Sequence, residues 1–501
     1  MKNIVNSLQN MRLMAKSILL FVLGGLGAFA FAPYYYIPLL WIGLLLLMRF
    51  LILATSKKQI FLLAFSYGAG LGAVSLSWIC HALTVDGGAF AFLIPISLVG
   101  LGFFMGIFYA IPACVSFFFK TPVSRWLAFA SSFVFFEWVR SWLLTGFPWN
   151  LLGNIWTGFL PFLQTASFVG VYGLSLITIL LFTSLALLPV KRYFISTIVL
   201  FCLLSMAGGL QLYDANKETV WGIKLRLVQP NIPQSLKWDP VKAQDNYSTL
   251  LRLSRENNDD ITHVIWPESA LPFYPDIDQV ETVRLMSAVR QGGTLMTGGL
   301  RVVNLQKRQL ANSLFVFDDR ANMLAYYDKS HLVPFGEYMP LRDLLKIDKI
   351  VPIPSDFVRG DGVKTLYVPK APLVAPLVCY EVIFPGHVVD KKRRPEWILN
   401  ITNDAWYGLT AGPYQHLSIA QMRAVEEGLP LVRATNNGVS AVINPYGEII
   451  ASLGLGEPGV VDSFLPRAQK RTVYAEHGNK VPLLFVLGVF LLALIKARKK
   501  K

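Results

Sequence analysis

Charged side chains are scarce in this sequence. Asp, Glu, Lys and Arg make up 15% of its 501 residues, against about 25% in an average soluble protein. Apolar residues reach 54%, and the mean hydropathy is +0.47. This composition excludes an intrinsically disordered chain, which needs low hydrophobicity, and it excludes a wholly soluble one. The sequence therefore indicates an integral membrane protein, and its length leaves room for an attached domain.

Cysteine and acidic residues are also few. Four cysteines in 501 residues exclude a disulfide-rich scaffold. The 46 Lys and Arg outnumber the 31 Asp and Glu, which gives a net charge of +15. Such an excess of base can serve nucleic-acid binding, but here the basic residues lie largely at the edges of apolar runs. We therefore expect a membrane, and no nucleic acid, as the partner of this charge.

Eight apolar runs are candidates for membrane spans, each of which needs about 20 mostly apolar residues. Seven of them fall in residues 1–212, and the eighth lies close to the C-terminal end. The pattern predicts an α-helical membrane bundle of about eight spans. The runs are Ser17–Ala32, Ile37–Ala54, Ile60–Leu83, Phe90–Phe119, Ser124–Leu144, Gln164–Pro189, Tyr193–Leu212 and Val481–Ile495.

Basic residues occupy alternate connections between these runs, and cytoplasmic connections are the ones that carry an excess of Lys and Arg. Seven spans from a cytoplasmic N-terminus place residues 213–480 outside the membrane as one domain. Residues 481–501 then form a last span with a basic cytoplasmic tail. The residues that carry this argument are Lys2, Arg12, Lys16, Arg49, Lys57, Lys58, Lys120, Arg125, Lys191, Arg192, Lys496, Arg498, Lys499, Lys500 and Lys501.

The sequence pattern of the external region, residues 213–480, predicts an α/β domain. Short β-branched or apolar runs alternate with stretches that have apolar residues at helical spacing, such as Gln244–Glu256. This alternation is typical of layered α/β domains. Ser313–Phe317 and Met323–Tyr327 flank a polar turn and predict a hairpin, so we expect mixed sheets.

Cys379 is the only cysteine of the external region, since Cys80, Cys114 and Cys202 lie in predicted spans. It follows the apolar run Leu373–Val378. At such a strand-to-helix corner we expect a thiol exposed at the sheet edge, with the next backbone amide directed into the same space. An inert buried cysteine is the alternative interpretation.

Glu268 and Lys329 also follow apolar runs directly. A carboxylate can accept a thiol proton, a lysine can stabilise a developing oxyanion, and a thiolate attacks carbonyl carbon. Each residue alone is more often part of a surface ion pair, and their separation in sequence does not establish proximity.

Five ordered motifs carry a family resemblance. The chain resembles the nitrilase superfamily and, with apolar spans on both sides, its membrane-anchored branch, the apolipoprotein N-acyltransferase family. The motifs are Trp266-Pro267-Glu268-Ser269-Ala270, Asp328–Tyr338, Cys379-Tyr380-Glu381, Asn403–Gly408 and Arg433–Gly438, with Gly146-Phe147-Pro148-Trp149 as a further match.

The resemblance implies an α-β-β-α nitrilase-like sandwich on the periplasmic side of the bacterial inner membrane. It implies a triad in which Glu268 is general base and acid, Lys329 stabilises the oxyanion and Cys379 is the nucleophile. The reaction would move an acyl chain from a phospholipid, typically phosphatidylethanolamine, through a cysteine thioester. The acceptor would be the α-amino group of the S-diacylglyceryl-cysteine that begins an apolipoprotein. A ping-pong scheme without cofactor or metal follows.

Four further residues have weaker assignments. Glu337 resembles the second glutamate of nitrilases, with a surface carboxylate as the alternative. Trp238 resembles a tryptophan of the family that contacts substrate, with an aromatic plug as the alternative. Tyr380 and Glu381 could shape the thioester pocket or serve as structural anchors. Phe335–Leu345 and Ile350–Phe357 are candidate lids, or packed loops.

Two alternatives keep the fold and change the function. One is a membrane-bound nitrilase-like amidase that releases ammonia, which leaves the eight spans unexplained. The other is a receptor whose external domain is a catalytically dead nitrilase fold, which leaves the intact Glu, Lys and Cys motifs unexplained.

Overall fold

The computed structural model describes residues 11–85, 87–188, 190–237, 239–339 and 357–498. Within them the chain divides into two compact units. The first, called the helical unit, contains the residues up to Asp214, Thr410–Ser418 and the residues from Thr472 onward. The second, called the α/β unit, contains Ala215–Leu409 and Ile419–Arg471.

The helical unit is built from apolar helices. They are α1 (Leu13–Gly27), α2 (Ile37–Leu53), α3 (Lys57–Ser75), α4 (Ile94–Ser116), α5 (Pro122–Arg140), α6 (Leu160–Leu163), α7 (Ala166–Ser184) and α8 (Lys191–Tyr213), with α13 (Val473–His477) and α14 (Lys480–Arg498) at the end. Short 3₁₀ segments include Ser77–Thr84, after α3, and Leu152–Gly158, before α6. Helices α1 and α3 approach closely: a Cβ on Gly70 would lie 1.9 Å from the carbonyl oxygen of Phe21. Small residues allow such backbone contact between membrane helices.

The structure contains fewer helices that qualify as membrane spans than the eight expected. Every predicted run contains a helix, but among the described residues only five helices are long and apolar enough to cross a membrane. The number rises to six if α3 and Ser77–Thr84, bent by 43°, form one span. Helix α2 has 17 residues, about 26 Å at 1.5 Å per residue, which is short for a hydrocarbon core of about 30 Å. Helix α5 contains Arg125, Glu137 and Arg140, all buried.

The α/β unit contains two mixed sheets. The strands are β1 (Thr219–Gln229), β2 (His263–Ile265), β3 (Thr294–Asn304), β4 (Gln309–Asp318), β5 (Met323–Asp328), β6 (Val374–Val378), β7 (Trp397–Thr402), β8 (Leu431–Thr435), β9 (Ser440–Ile443), β10 (Ile449–Leu453) and β11 (Gly459–Pro466). One sheet has the order β11-β1-β2-β3-β4-β5 and the other has the order β10-β9-β8-β7-β6. Both contain parallel and antiparallel pairs, and the predicted hairpin is the antiparallel pair β4–β5. The expected α/β fold with mixed sheets is confirmed.

Helices cover these sheets. In the described part of this unit the helices are α9 (Gln234–Lys237), α10 (Pro240–Arg255), α11 (Gln279–Val283) and most of α12 (Gly412–Glu427), the first residues of which belong to the helical unit. Apolar residues of α10 pack with β1, β2, β3 and β4 in one buried cluster. Every residue of β6, β7 and β8 is buried, as expected for strands covered on both faces.

Candidate active site

Cys379 lies at the corner where β6 ends and the 3₁₀ helix Cys379–Ile383 begins. Its φ of 53° falls in the left-handed region, which non-glycine residues rarely adopt and which often marks a functional position. The position of Cys379 at a strand-to-helix corner is as expected from the sequence. The thiol was expected to be exposed, but only 6% of Cys379 is exposed.

Glu268 follows β2 and enters the same interior. Its Oε1 accepts a hydrogen bond from Asn312 Nδ2 at 2.7 Å, and its Oε2 accepts one from the main-chain N–H of Asn403 at 2.8 Å. The main chain of Glu268 passes against β3 at Gly298, where a Cβ would lie 2.6 Å from the Glu268 Cα. Only glycine allows this approach, so strand β3 and two hydrogen bonds hold the carboxylate in place.

Lys329 follows β5 and lies between two carboxylates. Its Nζ is 2.9 Å from Glu337 Oε1 and 3.6 Å from Glu268 Oε1, and only 1% of the residue is exposed. Burial alone lowers the pKa of Lys329, but Glu337, Glu268 and Cys379 outweigh it and hold the pKa above its usual value. The ammonium therefore stays charged.

The Cys379 thiol is held in its protonated form. Burial, and after it the charge of Glu268, raises the pKa of Cys379 to about 12, although Lys329 acts in the opposite direction. At pH 7 a thiol with this pKa is ionised in only about one molecule in 10⁵. A thiolate at this position therefore has to be generated by transfer of the thiol proton to a base, and the Glu268 carboxylate is near enough to act on the thiol pKa.

Glu337 joins Lys329 and Glu268 into one network. Its Oε1 accepts hydrogen bonds from Lys329 Nζ at 2.9 Å and from Asn312 Nδ2 at 3.0 Å. Its Oε2 accepts the main-chain N–H of Val333 at 2.8 Å. Glu337 is thus in contact with the lysine, in the place where the sequence resemblance puts the second glutamate.

Glu381 binds main-chain and hydroxyl donors. Its Oε1 accepts from Tyr327 Oη at 2.8 Å and from the main-chain N–H groups of Ser330 and His331 at 2.7 and 3.0 Å. Its Oε2 accepts from the N–H of Val378 at 2.8 Å. These bonds tie the ends of β5 and β6 together, so the geometry favours the anchoring interpretation of Glu381.

Tyr380, next to Cys379 in the chain, packs in an aromatic group. Its ring meets Phe384 edge-on at 5.2 Å and lies 5.8 Å from His331. Trp238 lies outside the described residues, as do Pro340–Leu345 and Ile350–Asp356 of the two candidate lids.

Three polar residues of the site were not identified from the sequence. Asn312 bridges Glu268 and Glu337 from the interior of β4, Asn403 holds Glu268 through its main chain, and Lys237 Nζ donates to the Glu268 carbonyl oxygen at 2.9 Å. A polar residue inside an apolar strand run was a usable signal for Asn312. Main-chain contacts such as that of Asn403 leave no mark on side-chain patterns. In the described part of the chain, no group of three or more His, Cys, Asp or Glu is arranged to hold a metal ion.

Comparison with known proteins assigns both parts of the chain. Residues 23–186 match the family described as Apolipoprotein N-acyltransferase N-terminal domain, and residues 224–473 match the family described as Carbon-nitrogen hydrolase. An amidase from Nesterenkonia sp. of known structure covers 54% of this chain and 99% of its own, at 18% identity and a TM-score of 0.37. That structural similarity is too low to support an argument.

Full-length relatives are more informative. The apolipoprotein N-acyltransferase of Rhodopseudomonas palustris is 37% identical over 86% of this chain and 85% of its own length. Those of Bradyrhizobium diazoefficiens and Rickettsia prowazekii are each 36% identical over 95% of this chain, and over 94% and 97% of their own lengths. Similarity of this extent includes the helical unit as well as the α/β unit, and so the chain belongs to the apolipoprotein N-acyltransferase family, within the nitrilase superfamily.

Proposed function

We propose that this enzyme transfers an acyl chain from a phospholipid, through a thioester on Cys379, to the α-amino group of the N-terminal S-diacylglyceryl-cysteine of apolipoproteins. One observation carries the proposal: Glu268, Lys329 and Glu337 form one buried network, and the Cys379 thiol lies within its electrostatic field. A network of this composition contains a nucleophile, a base and a cation for the oxyanion.

In the first half-reaction Glu268 accepts the proton of the Cys379 thiol, and the thiolate attacks the ester carbonyl carbon of the lipid. Lys329 and the main-chain N–H of Tyr380 stabilise the tetrahedral oxyanion, and one such donor contributes about 3–4 kcal/mol. The C–O bond to glycerol breaks, the leaving alkoxide takes the proton from Glu268, and lysophospholipid departs. The acyl group remains on sulfur.

In the second half-reaction the lipoprotein amine attacks the thioester. Glu268 accepts a proton from the amine, and the thiolate leaves and is reprotonated to restore the resting thiol. Amide formation from a thioester is downhill, so this chemistry requires no nucleotide. Glu337 keeps Lys329 in position during both halves, because it binds the ammonium at 2.9 Å.

The membrane arrangement belongs to the same proposal. The basic connections between the apolar runs place the catalytic α/β unit on the periplasmic side of the bacterial inner membrane, with both terminal basic segments in the cytoplasm. On that side both lipid-anchored substrates are available in the outer leaflet. Labelling of single introduced cysteines with an impermeant maleimide in intact cells tests this orientation: Lys217→Cys is expected to react and Lys58→Cys is not.

The central test is mass spectrometry of the purified enzyme mixed with phosphatidylethanolamine and no acceptor. We expect one acyl group on the Cys379 peptide, removable by hydroxylamine and absent from Cys379→Ala. Cys202→Ala is the matched control, because Cys202 is an exposed cysteine of the helical unit, and it should acylate normally. Transfer to lipoprotein by the Cys379→Ala enzyme would overturn the proposal. Ammonia release from amides without lipid would favour the amidase alternative, and phosphatidylglycerol in place of phosphatidylethanolamine tests the donor headgroup.

A further inference from the structure

A second lysine, Lys237, ends the short helix α9 beside the catalytic network. It is 8% exposed, which is rare for a lysine without a carboxylate partner. Its Nζ donates a 2.9 Å hydrogen bond to the main-chain oxygen of Glu268. Within the ranges that the structure describes, no carboxylate oxygen lies within ion-pair distance of this ammonium. Lys237 is therefore a buried cation bound directly to the residue that bears the catalytic carboxylate.

Helix α9 is attached to the same site at its other end. Gln234 Oε1 accepts a 2.7 Å hydrogen bond from Asn403 Nδ2, while the main-chain N–H of Asn403 donates to Glu268 Oε2. The two ends of α9 therefore reach Glu268 by two routes, one through Asn403 and one through Lys237. This attachment fixes the position of the Lys237 ammonium relative to the carboxylate.

The charges of the network explain why a second cation is placed there. Glu268 and Glu337 are two carboxylates, and Lys329 is a single ammonium shared between them. Without another cation the group carries a net negative charge, and transfer of the Cys379 proton to Glu268 moves this charge onto sulfur without removing it. Uncompensated buried charge is strongly unfavourable. Addition of Lys237 makes the group formally neutral both before and after the proton transfer.

The other charged groups around the thiol already have partners. Glu381 accepts hydrogen bonds from four residues, and Asp404 pairs with Arg433 at 2.6 Å. Tyr407 also interacts electrostatically with Cys379 and Glu268. Glu268 and Cys379 are the charges that act on Lys237 itself: burial lowers the pKa of Lys237 to about 8, and the interactions with Glu268 and Cys379 oppose that decrease. Lys237 therefore carries its charge at neutral pH and loses it on the alkaline side.

We propose that Lys237 is a positioning residue whose ammonium orients Glu268 and neutralises the catalytic group while Cys379 is a thiolate. The inference rests on the proposed roles of Glu268 and Cys379. It predicts that the rate of thioester formation depends on the charge at position 237, and that the hydrogen bond alone does not suffice.

The test measures single-turnover acylation of Cys379 by phosphatidylethanolamine in the full-length enzyme between pH 6 and 9.5. Lys237→Met keeps the length of the side chain and removes its charge, and we expect acylation at pH 7 to be about tenfold slower, as for one unit of thiol pKa. The wild-type rate should fall above about pH 8, and Lys237→Met should lack this alkaline decrease. The lipid concentration for half-maximal rate should be unchanged, since Lys237 acts through Glu268.

Two further variants separate charge from structure. Lys237→Arg keeps a cation at every pH tested, so it should retain most of the neutral rate and lose the alkaline decrease. Lys242→Met changes an exposed lysine of α10 paired only with Asp245 and should behave as wild type. A folded Lys237→Met enzyme with the wild-type rate, or with the decrease still near pH 8, overturns the inference. If Lys237→Met does not fold, an Arg variant that keeps the decrease near pH 8 has the same consequence. Wild-type enzyme that forms no Cys379 adduct would instead refute the proposed function.

Discussion

Both units of this protein bury charged side chains, and Arg125 and Lys329 show two different ways of satisfying a buried cation. In the helical unit, Arg125 donates to the carbonyl oxygens of Phe119, Leu51, Ile52 and Ala54 at 2.8–3.2 Å. In the α/β unit, Lys329 binds the side chains of Glu337 and Glu268. A cation bound to carbonyl groups stabilises the chain at that point and has no proton acceptor beside it. A cation bound between carboxylates, next to a thiol, belongs to a group in which protons can move. The comparison indicates that the partner of a buried charge, more than its burial, separates structural from chemical roles.

The largest effect on acylation should come from removal of Lys329, the cation bound between carboxylates. Lys329→Met leaves Glu268 and Glu337 without their shared ammonium and removes one oxyanion donor, so we expect acylation to fall about 100- to 1,000-fold. Rapid-quench mass spectrometry of the Cys379 peptide measures it. Lys370→Met, which changes an exposed lysine whose Nζ donates to the Gly292 carbonyl oxygen, is the control. A Lys329→Met enzyme that acylates at more than a tenth of the wild-type rate would contradict the assigned role.

Removal of Arg125, the cation bound to carbonyl groups, should lower stability and leave the acylation rate unchanged. Arg125→Met leaves carbonyl groups at the end of α2 and before α5 without their donor, at a cost of about 1–3 kcal/mol. We expect a lower melting temperature and less accumulated protein, with an unchanged acylation rate per folded molecule. Thermal unfolding in detergent and the single-turnover assay are compared on the same preparation, with exposed Lys120→Met as the control. A normal melting temperature with impaired acylation would contradict the structural role assigned to Arg125.

The reactivity of the Cys379 thiol as a function of pH tests the effect of Glu268 on that thiol. Because Glu268 raises the pKa of Cys379, Glu268→Gln should lower that pKa and speed alkylation of the thiol by iodoacetamide at a fixed pH. Each unit by which the pKa falls increases the thiolate fraction about tenfold. The same variant should fail to form the thioester, because the base is absent. Alkylation of wild type should rise throughout pH 7–10, since this range lies below the thiol pKa of about 12. Slower alkylation in Glu268→Gln would mean that Glu268 does not act on the thiol in this direction.

The smallest effect is expected where charges are exposed. Lys217 and Glu448 form a 3.3 Å ion pair with 64% and 41% of their side chains exposed. Glu448→Ala should change the free energy of unfolding by less than about 1 kcal/mol, because solvent screens the pair. Denaturant unfolding of the detergent-solubilised enzyme measures this change, and Glu337→Ala, which removes a buried partner, should exceed it clearly. Equal effects of the two variants would show that burial does not set the scale.

Much of the architecture could be predicted from local patterns. Apolar runs located the helices of the helical unit, and alternation with a polar turn identified the β4–β5 hairpin. Ionisable residues at the ends of apolar runs suggested Glu268, Lys329 and Cys379 as candidates, and the structure brings the first two within 3.6 Å of each other. These features depend on sequence neighbours, which the sequence displays directly.

Other features depend on contacts between distant segments. Asn403 holds Glu268 through its main-chain N–H, Asn312 joins two carboxylates from inside β4, and Cys379 is buried. A run of apolar residues also does not reveal that α2 stops after 17 residues. The inclusion of Thr410–Ser418 in the helical unit had no signal in composition, because nine residues are too few to shift a local average.

The buried, protonated thiol at the corner after β6 also affects the chemical durability of the enzyme. Peroxide and disulfides react with thiolates and scarcely with thiols, and access to the sulfur limits both reactions. A cysteine that ionises only when a neighbouring base removes its proton is therefore resistant to sulfenic acid formation and to mixed disulfides while the enzyme waits for lipid. The α/β unit is proposed to lie in an oxidising compartment. There the high thiol pKa slows formation of the thiolate, and it also protects the sulfur from oxidation between turnovers.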